Sequence, residues 1–364
     1  MSLKVILISQ LPLPYFKIGR WTILYNNYLT QKHQIDFLVC EKPIERYKNL
    51  NYSVVKNNFW LNFVQKITKN NFLKYQIALN NIIDKDEKYI VQIIDNSGLA
   101  KNIHKYLLKN HNRKNFYIQY FYHGFMPIQS VNSSLNFYDN VDELVLLTQL
   151  SYNRLKNDID VLIPKVSILH NGIDTNKFFK IDSFRKNQIK NSLDFNDLKI
   201  FIWCSQDRPK KGLHIVLEAW KTIHANYPKT ILLVIGCEPK EPQVGVKFLG
   251  KIPNNDLPKY YQIADVYLFP TLWQEGFGLS LIEALHCGCY CIASAMGGVP
   301  EVLNFGKYGV LIKNPNIVQD WILEMKLYLE NQNQVFNFPN AIYTTEIWNN
   351  EMNKIIENAK NSFV

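Results

Sequence analysis

At 364 residues, with 47% hydrophobic and 20% charged side chains, the chain has a soluble globular composition and is long enough for two ordinary domains. That balance excludes a disordered chain, and no apolar run approaches the length of a membrane span. The net charge of +10 is uneven: residues 1–165 hold 21 Lys and Arg against 12 Asp and Glu, and the remainder holds 20 against 19. A basic first half suits anionic lipid or a phosphate-bearing acceptor as well as nucleic acid, and no nucleic-acid motif accompanies it, so no nucleic-acid partner is expected.

In chain order, Met1 to Ile8 carries one lysine and an apolar run too short for a signal-peptide core, so it reads as a first buried strand and a cytoplasmic location is expected. Strand-like segments then fall at residues 4–9, 35–40, 90–94, 116–121 and 143–147, with helical spacing at 21–29 and 98–108 between them. The alternation resumes with strands predicted at 198–204, 230–235, 266–269 and 290–294, separated by helices at 213–226, 256–263 and 279–287. Such alternation builds parallel sheets covered on both faces, an α/β architecture. A last helix is expected over 347–359.

Trp60, Phe63, Val64 and Ile67 recur at helical spacing, with Lys66, Lys69 and Lys74 nearby. Two readings stand: a basic amphipathic helix lying in a membrane interface, or an apolar stripe packed on the domain's own sheet with solvated lysines.

The richest stretch is Gln274-Glu275-Gly276-Phe277-Gly278-Leu279-Ser280-Leu281-Ile282-Glu283, which sets two carboxylates eight positions apart around glycines that open a helix. Gly276 and Gly278 let a diphosphate approach the backbone, and the helix N-terminus favours its negative charge. Glu283, projecting from the helix, is placed to accept ribose hydroxyls; Glu275 is placed to accept hydroxyls of a sugar. Cys287, Cys289 and Cys291 have no second Cys or His pair at ligand spacing and read as small buried residues. Asp84-Lys85-Asp86 and Asp158-Ile159-Asp160 lie in polar connections and read as solvated turns, so no metal site is expected. His170-Asn171-Gly172 is a turn at the interdomain link, and His286 a packing residue.

This stretch, with Gly297-Gly298-Val299-Pro300-Glu301 after it and Leu169-His170-Asn171-Gly172-Ile173-Asp174 and Arg208-Pro209-Lys210-Lys211-Gly212 before it, resembles the signature of the family 4 retaining glycosyltransferases. The resemblance implies a GT-B fold: two Rossmann-like domains with parallel sheets facing a central cleft, at residues 1–165 on the acceptor side and 166–346 on the nucleotide-sugar side. A hinge falls near 163–178, and a terminal helix, about 347–364, returns to the first domain. It implies transfer of a sugar from a UDP-sugar first, or a GDP-sugar second, to a hydroxyl of a surface glycan or lipid-linked acceptor, without metal or cofactor. The catalytic set becomes Glu275, His123, Lys211 and Arg208, the cations standing in for a metal at the diphosphate. Gly19, Gly276, Phe277, Gly278, Leu279 and Glu283 become the binding set. Gln206 stands where the family commonly has arginine, so Arg208 would reach the phosphate from a shifted position. Peripheral association with an anionic membrane would fit a lipid-linked acceptor. The rivals are a non-catalytic scaffold that keeps the nucleotide-sugar site and a dinucleotide-dependent oxidoreductase, whose Gly-x-Gly-x-x-Gly residues 9–20 do not supply.

Overall fold

The computed structural model describes residues 3–15, 21–126, 137–159, 164–238, 241–331 and 336–363. The chain divides into two compact units: Met1–Asn171 with Thr345–Val364, and Gly172–Thr344. The division falls between Asn171 and Gly172, where the expected turn is not formed.

In the first unit, strands β1 (Leu3–Ile8), β2 (Phe37–Glu41), β3 (Asn51–Val55), β4 (Lys88–Ile94), β5 (Phe116–Tyr122), β6 (Glu143–Leu146) and β7 (Lys165–Ile168) form a parallel sheet in the order β3-β2-β1-β4-β5-β6-β7. Parallel neighbours need crossover connections, which cover both faces; Val5 to Ile8 are accordingly at most 1% exposed. The crossovers include helices α1 (Trp21–Thr30), α2 (Phe59–Thr68), α3 (Leu73–Asn80), α4 (Ser97–Asn110) and α5 (Gln149–Asp158). Gln92, Gln119 and Glu143 stand opposite one another on β4, β5 and β6. Gln92 Nε2 donates to Gln119 Oε1 at 2.9 Å, and Gln119 Nε2 to Glu143 Oε2 at 2.8 Å. A register slip would strand these fully buried groups, so the polar thread fixes the pairing.

The second unit repeats the plan. Strands β8 (Lys199–Cys204), β9 (Thr230–Ile235), β10 (Val246–Gly250), β11 (Val266–Phe269), β12 (Tyr290–Ser294) and β13 (Val310–Ile312) form a parallel sheet in the order β10-β9-β8-β11-β12-β13. Its helices are α6 (Ser183–Ser192), α7 (Leu213–Asn226), α8 (Leu257–Ile263), α9 (Leu279–His286), α10 (Val299–Val302) and α11 (Val318–Glu330). In α7 the residues Val216, Ala219, Trp220 and Ile223 recur every three or four positions, and all are buried against the sheet.

The last helix, α12 (Thr345–Asn361), packs within the first unit. Trp348, Met352, Ile355 and Ile356 join the cluster that holds Val5, Leu7, Tyr25 and Tyr28, each burial contributing roughly 2 kcal/mol as an upper estimate. Tyr28 donates to Asn353 Oδ1 at 2.6 Å, and Asn349 Nδ2 to Asn27 Oδ1 at 3.0 Å, which fixes how the helix sits on α1. Among the described residues no helix is long and apolar enough to cross a membrane.

Candidate functional site

Ligands of open α/β sheets bind beyond the carboxyl ends of the strands, where the strand order reverses. In the second sheet that point lies between β8 and β11. Two loops leave the sheet there, residues 205–212 and residues 270–278. Arg208 and Lys211 lie on the first; Glu275, Gly276, Phe277 and Gly278 lie on the second, which runs into α9 with Leu279 and Glu283.

The two loops are tied to each other. Leu272 N donates to Lys210 O at 2.8 Å. Gly212 has φ +70°, and a Cβ there would stand 1.9 Å from Pro270 O, so only glycine allows this approach. The Lys211 ammonium pairs with Glu275 Oε1, which also accepts from Thr271 Oγ1 at 3.1 Å. The main chain of Glu275 is clamped in turn: Gly298 N donates to Glu275 O at 2.8 Å. A Cβ on Gly297 would stand 2.3 Å from that same oxygen. Arg208 is exposed on the loop of Lys211, and Lys210 lies 4.5 Å over the Trp273 ring. The paired loops therefore carry three cations, of which Lys211 sits against the largely sheltered Glu275 carboxylate.

Helix α9 begins at Gly278, with φ +94° and no side-chain cap, and its first turn carries no acid. By contrast Asn58, Asn96, Thr148 and Asp182 cap α2, α4, α5 and α6 with side-chain oxygens. The first-turn amides of a helix have no intrahelical acceptor, so α9 presents donors and a partial positive charge beside Lys211's loop. The Phe277 ring is buried edge-on against Tyr343, with centroids 5.2 Å apart. Glu283 is not a projecting side chain: it is only 6% exposed, more enclosed than Glu275.

In the first unit the corresponding reversal lies between β1 and β4. Gly19 lies outside the described residues. His123 follows β5 and turns back to the end of β4. Its backbone N–H donates to Asp95 Oδ1 at 2.7 Å, its Nδ1 lies 3.1 Å from Asp95 Oδ2, and its ring stacks on Trp21 at 5.5 Å. The Asp95 carboxylate thus holds His123 by its backbone N–H and by ring Nδ1, leaving Nε2 as the nitrogen available to a substrate. Asp95 itself has φ +52°. Sequence reasoning passed over Asp95 and Thr271; an Asp directly after a buried strand was the available signal for the former, and Thr271 offered none.

His286 is buried, with Nε2 3.0 Å from Ile342 O and its ring against Phe338, and burial lowers its pKa. Cys287, Cys289 and Cys291 are buried free thiols, that of Cys289 pushed up to about 12 by burial. Asp84 and Asp86 are exposed in the turn before β4, at the amino end of the sheet. Among the described residues no group of three or more His, Cys, Asp or Glu side chains is placed to hold a metal ion.

The family model of glycosyl transferases group 1 matches residues 184–361, which take in both loops, α9 and the Gly297-Gly298 clamp. Over that stretch, just under half of its length, the chain is similar to the group 1 glycosyltransferases. A GDP-mannose-dependent monoacylated α-(1-6)-phosphatidylinositol monomannoside mannosyltransferase of Corynebacterium glutamicum is 28% identical over 179 residues, 45% of this chain and 47% of that one. N-acetyl-α-D-glucosaminyl L-malate synthase of Bacillus anthracis is 29% identical over 196 residues, 50% of this chain and 49% of that one. The chain thus spans about half the length of these curated relatives. Solved structures resemble it along nearly its whole length. Sucrose-phosphate synthase of Thermosynechococcus elongatus has a TM-score of 0.74 at 16% identity, covering 99% of this chain and 100% of that one. Anabaena HepE in complex with UDP has a TM-score of 0.73 at 15% identity, covering 98% and 100%. The chain therefore has the GT-B fold.

Proposed function

We propose that this chain is a group 1 glycosyltransferase that moves a sugar, with retention and without a metal, from a nucleoside diphosphate to a hydroxyl of a glycan or lipid-linked acceptor. The observation that carries the reading is the paired loops at the β8/β11 reversal, which bring Lys211 and Glu275 together beside an uncapped helix N-terminus. In the reaction the bond from the anomeric carbon to the leaving phosphate oxygen breaks and one to the acceptor oxygen forms, with the acceptor's proton passing to the leaving phosphate. Lys211 and Arg208 stabilise the charge that grows on that phosphate. Glu275 accepts hydroxyls of the sugar, Glu283 those of the ribose, and the amides of Gly278 and Leu279 receive the diphosphate. His123, held by Asp95, is assigned a contact to the donor sugar, and Gly19 a close approach to phosphate or acceptor.

UDP and GDP are both supported as carriers: the Corynebacterium relative is named for GDP-mannose, and HepE was crystallised with UDP. The lipid in the Corynebacterium relative's name supports a lipid-linked acceptor and, with it, peripheral membrane association. A thermal-unfolding screen with UDP-sugars, GDP-sugars and NAD(P) tests the class, since a ligand bound only to the folded state raises its stability by about 2.7 kcal/mol at a hundred times its Kd. A rise of several degrees with one nucleotide sugar and none with NAD(P) is expected. A response to NAD(P) alone would replace the reading with an oxidoreductase, and binding without turnover of any offered acceptor would favour the retired scaffold.

A further inference from the structure

Between Glu45 and Asp84 the sequence contains no acidic residue, while Arg46, Lys48, Lys56, Lys66, Lys69 and Lys74 supply positive charge. In the middle of this stretch stands α2. Its ends are closed by its own groups: Asn58 Oδ1 accepts from Leu61 N at 2.8 Å, and Lys69, in the left-handed region, donates its N–H to the carbonyls of Gln65 and Lys66. None of its residues is buried. Phe59 is 79% exposed, Trp60 73%, Ile67 66%, Phe63 49% and Val64 38%. The reading in which this stripe packs on the domain's own sheet is therefore corrected. The rings of Phe59, Trp60 and Phe63 lie edge-on to one another, with centroids 6.3 and 6.5 Å apart.

A contiguous exposed aromatic patch of this kind marks an interaction surface. We propose that α2 docks the first unit on an anionic lipid bilayer, its aromatic stripe entering the headgroup region while Lys56, Lys66 and Lys69 meet the lipid phosphates. Those three lysines are exposed, whereas Lys74 is paired with Glu41 at 3.1 Å. Aromatic side chains settle at the boundary between water and hydrocarbon, and lysines beside them gain from the negative surface potential. Ten residues of helix, about 15 Å long, lie flat in that layer and cannot span it. The charge pattern also decides against a second copy of this chain, because face-to-face pairing of two α2 helices would bring the lysines of both copies together.

The proposal rests on the lipid-linked acceptor of the reading above but not on the nucleotide site, so vesicle binding and nucleotide binding fail separately. The test is co-sedimentation with vesicles of phosphatidylcholine alone or mixed with equal phosphatidylglycerol, at 0.1 and 0.5 M NaCl. The proteins are the wild type, a Trp60→Ser/Phe63→Ser variant and a Lys56→Glu/Lys66→Glu/Lys69→Glu variant. The wild type should pellet with the anionic vesicles only and be released by high salt, and each variant should partition about tenfold more weakly or less. Because the replaced side chains are exposed, wild-type melting temperatures are expected of both variants. If either lost its thermal transition, quenching of Trp60 fluorescence by brominated lipid, with Trp60→Phe as the blank, would carry the test. No pelleting of the wild type, equal pelleting of all three, or a lipid-free dimer that Trp60→Ser/Phe63→Ser dissociates would overturn the proposal.

Discussion

Replacing Lys211 by Ala should lower turnover by about 100-fold or more while the protein stays folded, and a chelator should leave the wild type unaffected. The expectation follows from what the side chain does at the β8/β11 reversal. Its ammonium sits against Glu275 Oε1, half-sheltered, in a loop pinned by Gly212 and by the Leu272 to Lys210 hydrogen bond. A fixed cation at that place needs no reorganisation when charge develops on the leaving phosphate. Removing one such preorganised stabiliser costs about 100- to 1,000-fold in related settings. The loss should fall on kcat at saturating donor, since Arg208 and the α9 amides remain to bind the ground-state diphosphate. Turnover within threefold of wild type would remove Lys211 from the chemistry. Activity abolished by EDTA and restored by Mg²⁺ or Mn²⁺ would show that a metal does its work.

Gly297→Ala is the second large effect, and it acts through Glu275 without touching it chemically. At φ +66° an Ala is strained by about 1–2 kcal/mol, and its Cβ would fall 2.3 Å from Glu275 O and 2.6 Å from Glu275 N. Backbone cannot yield as a flexible side chain does, so the Glu275 loop must move. A destabilisation of roughly 2–4 kcal/mol in denaturant unfolding is expected, summing strain and overpacking. A shift of about 1 Å in a positioning group costs on the order of 100-fold in rate, so transfer should nearly vanish even in the folded fraction. Gly306→Ala supplies the control: φ there is +98°, but a Cβ would meet nothing within 4 Å. It should cost the strain alone and keep activity. If the two variants lost equal stability and neither lost activity, the clamp between the Gly297-Gly298 turn and Glu275 would carry no function.

The central strands and the glycine loop were readable in the sequence for a physical reason. Strands buried on both faces, such as Thr230–Ile235 and Tyr290–Ser294, must be nearly all apolar, and helix α7 must repeat every three to four residues to bury one face. The outer strands escaped because β3 and β7 are partly exposed and are interrupted by Ser53 and Ser167, and β13 is only three residues long. The 163–178 stretch read as a link begins with β7, whose pairing with β6 depends on contacts across the sheet that local pattern does not carry. Glu275, Lys211 and the glycines could be singled out as candidates from spacing and resemblance, and the structure places Glu275 and Lys211 together. What holds them could not. Thr271 on Glu275 and Asp95 on His123 are ordinary residues made specific only by a folded geometry, and α2's outward face was undecidable until its exposure was known.

The central claim is that one crevice divides its work, Glu283 holding the nucleoside and Glu275 the sugar. Calorimetric titration of UDP and GDP into the wild type, Glu283→Ala and Glu275→Ala measures this most directly, with Glu283→Gln included because Glu283 is buried and its removal can perturb α9. The account predicts that the wild type binds one of the two nucleotides and that Glu283→Ala weakens it by roughly 1.5–3 kcal/mol, the scale of hydrogen bonds to a charged group. It predicts that Glu275→Ala binds the free nucleotide as the wild type does while losing sugar transfer. Equal loss of nucleotide affinity in the two alanine variants, or wild-type affinity in a folded Glu283→Ala, would contradict it.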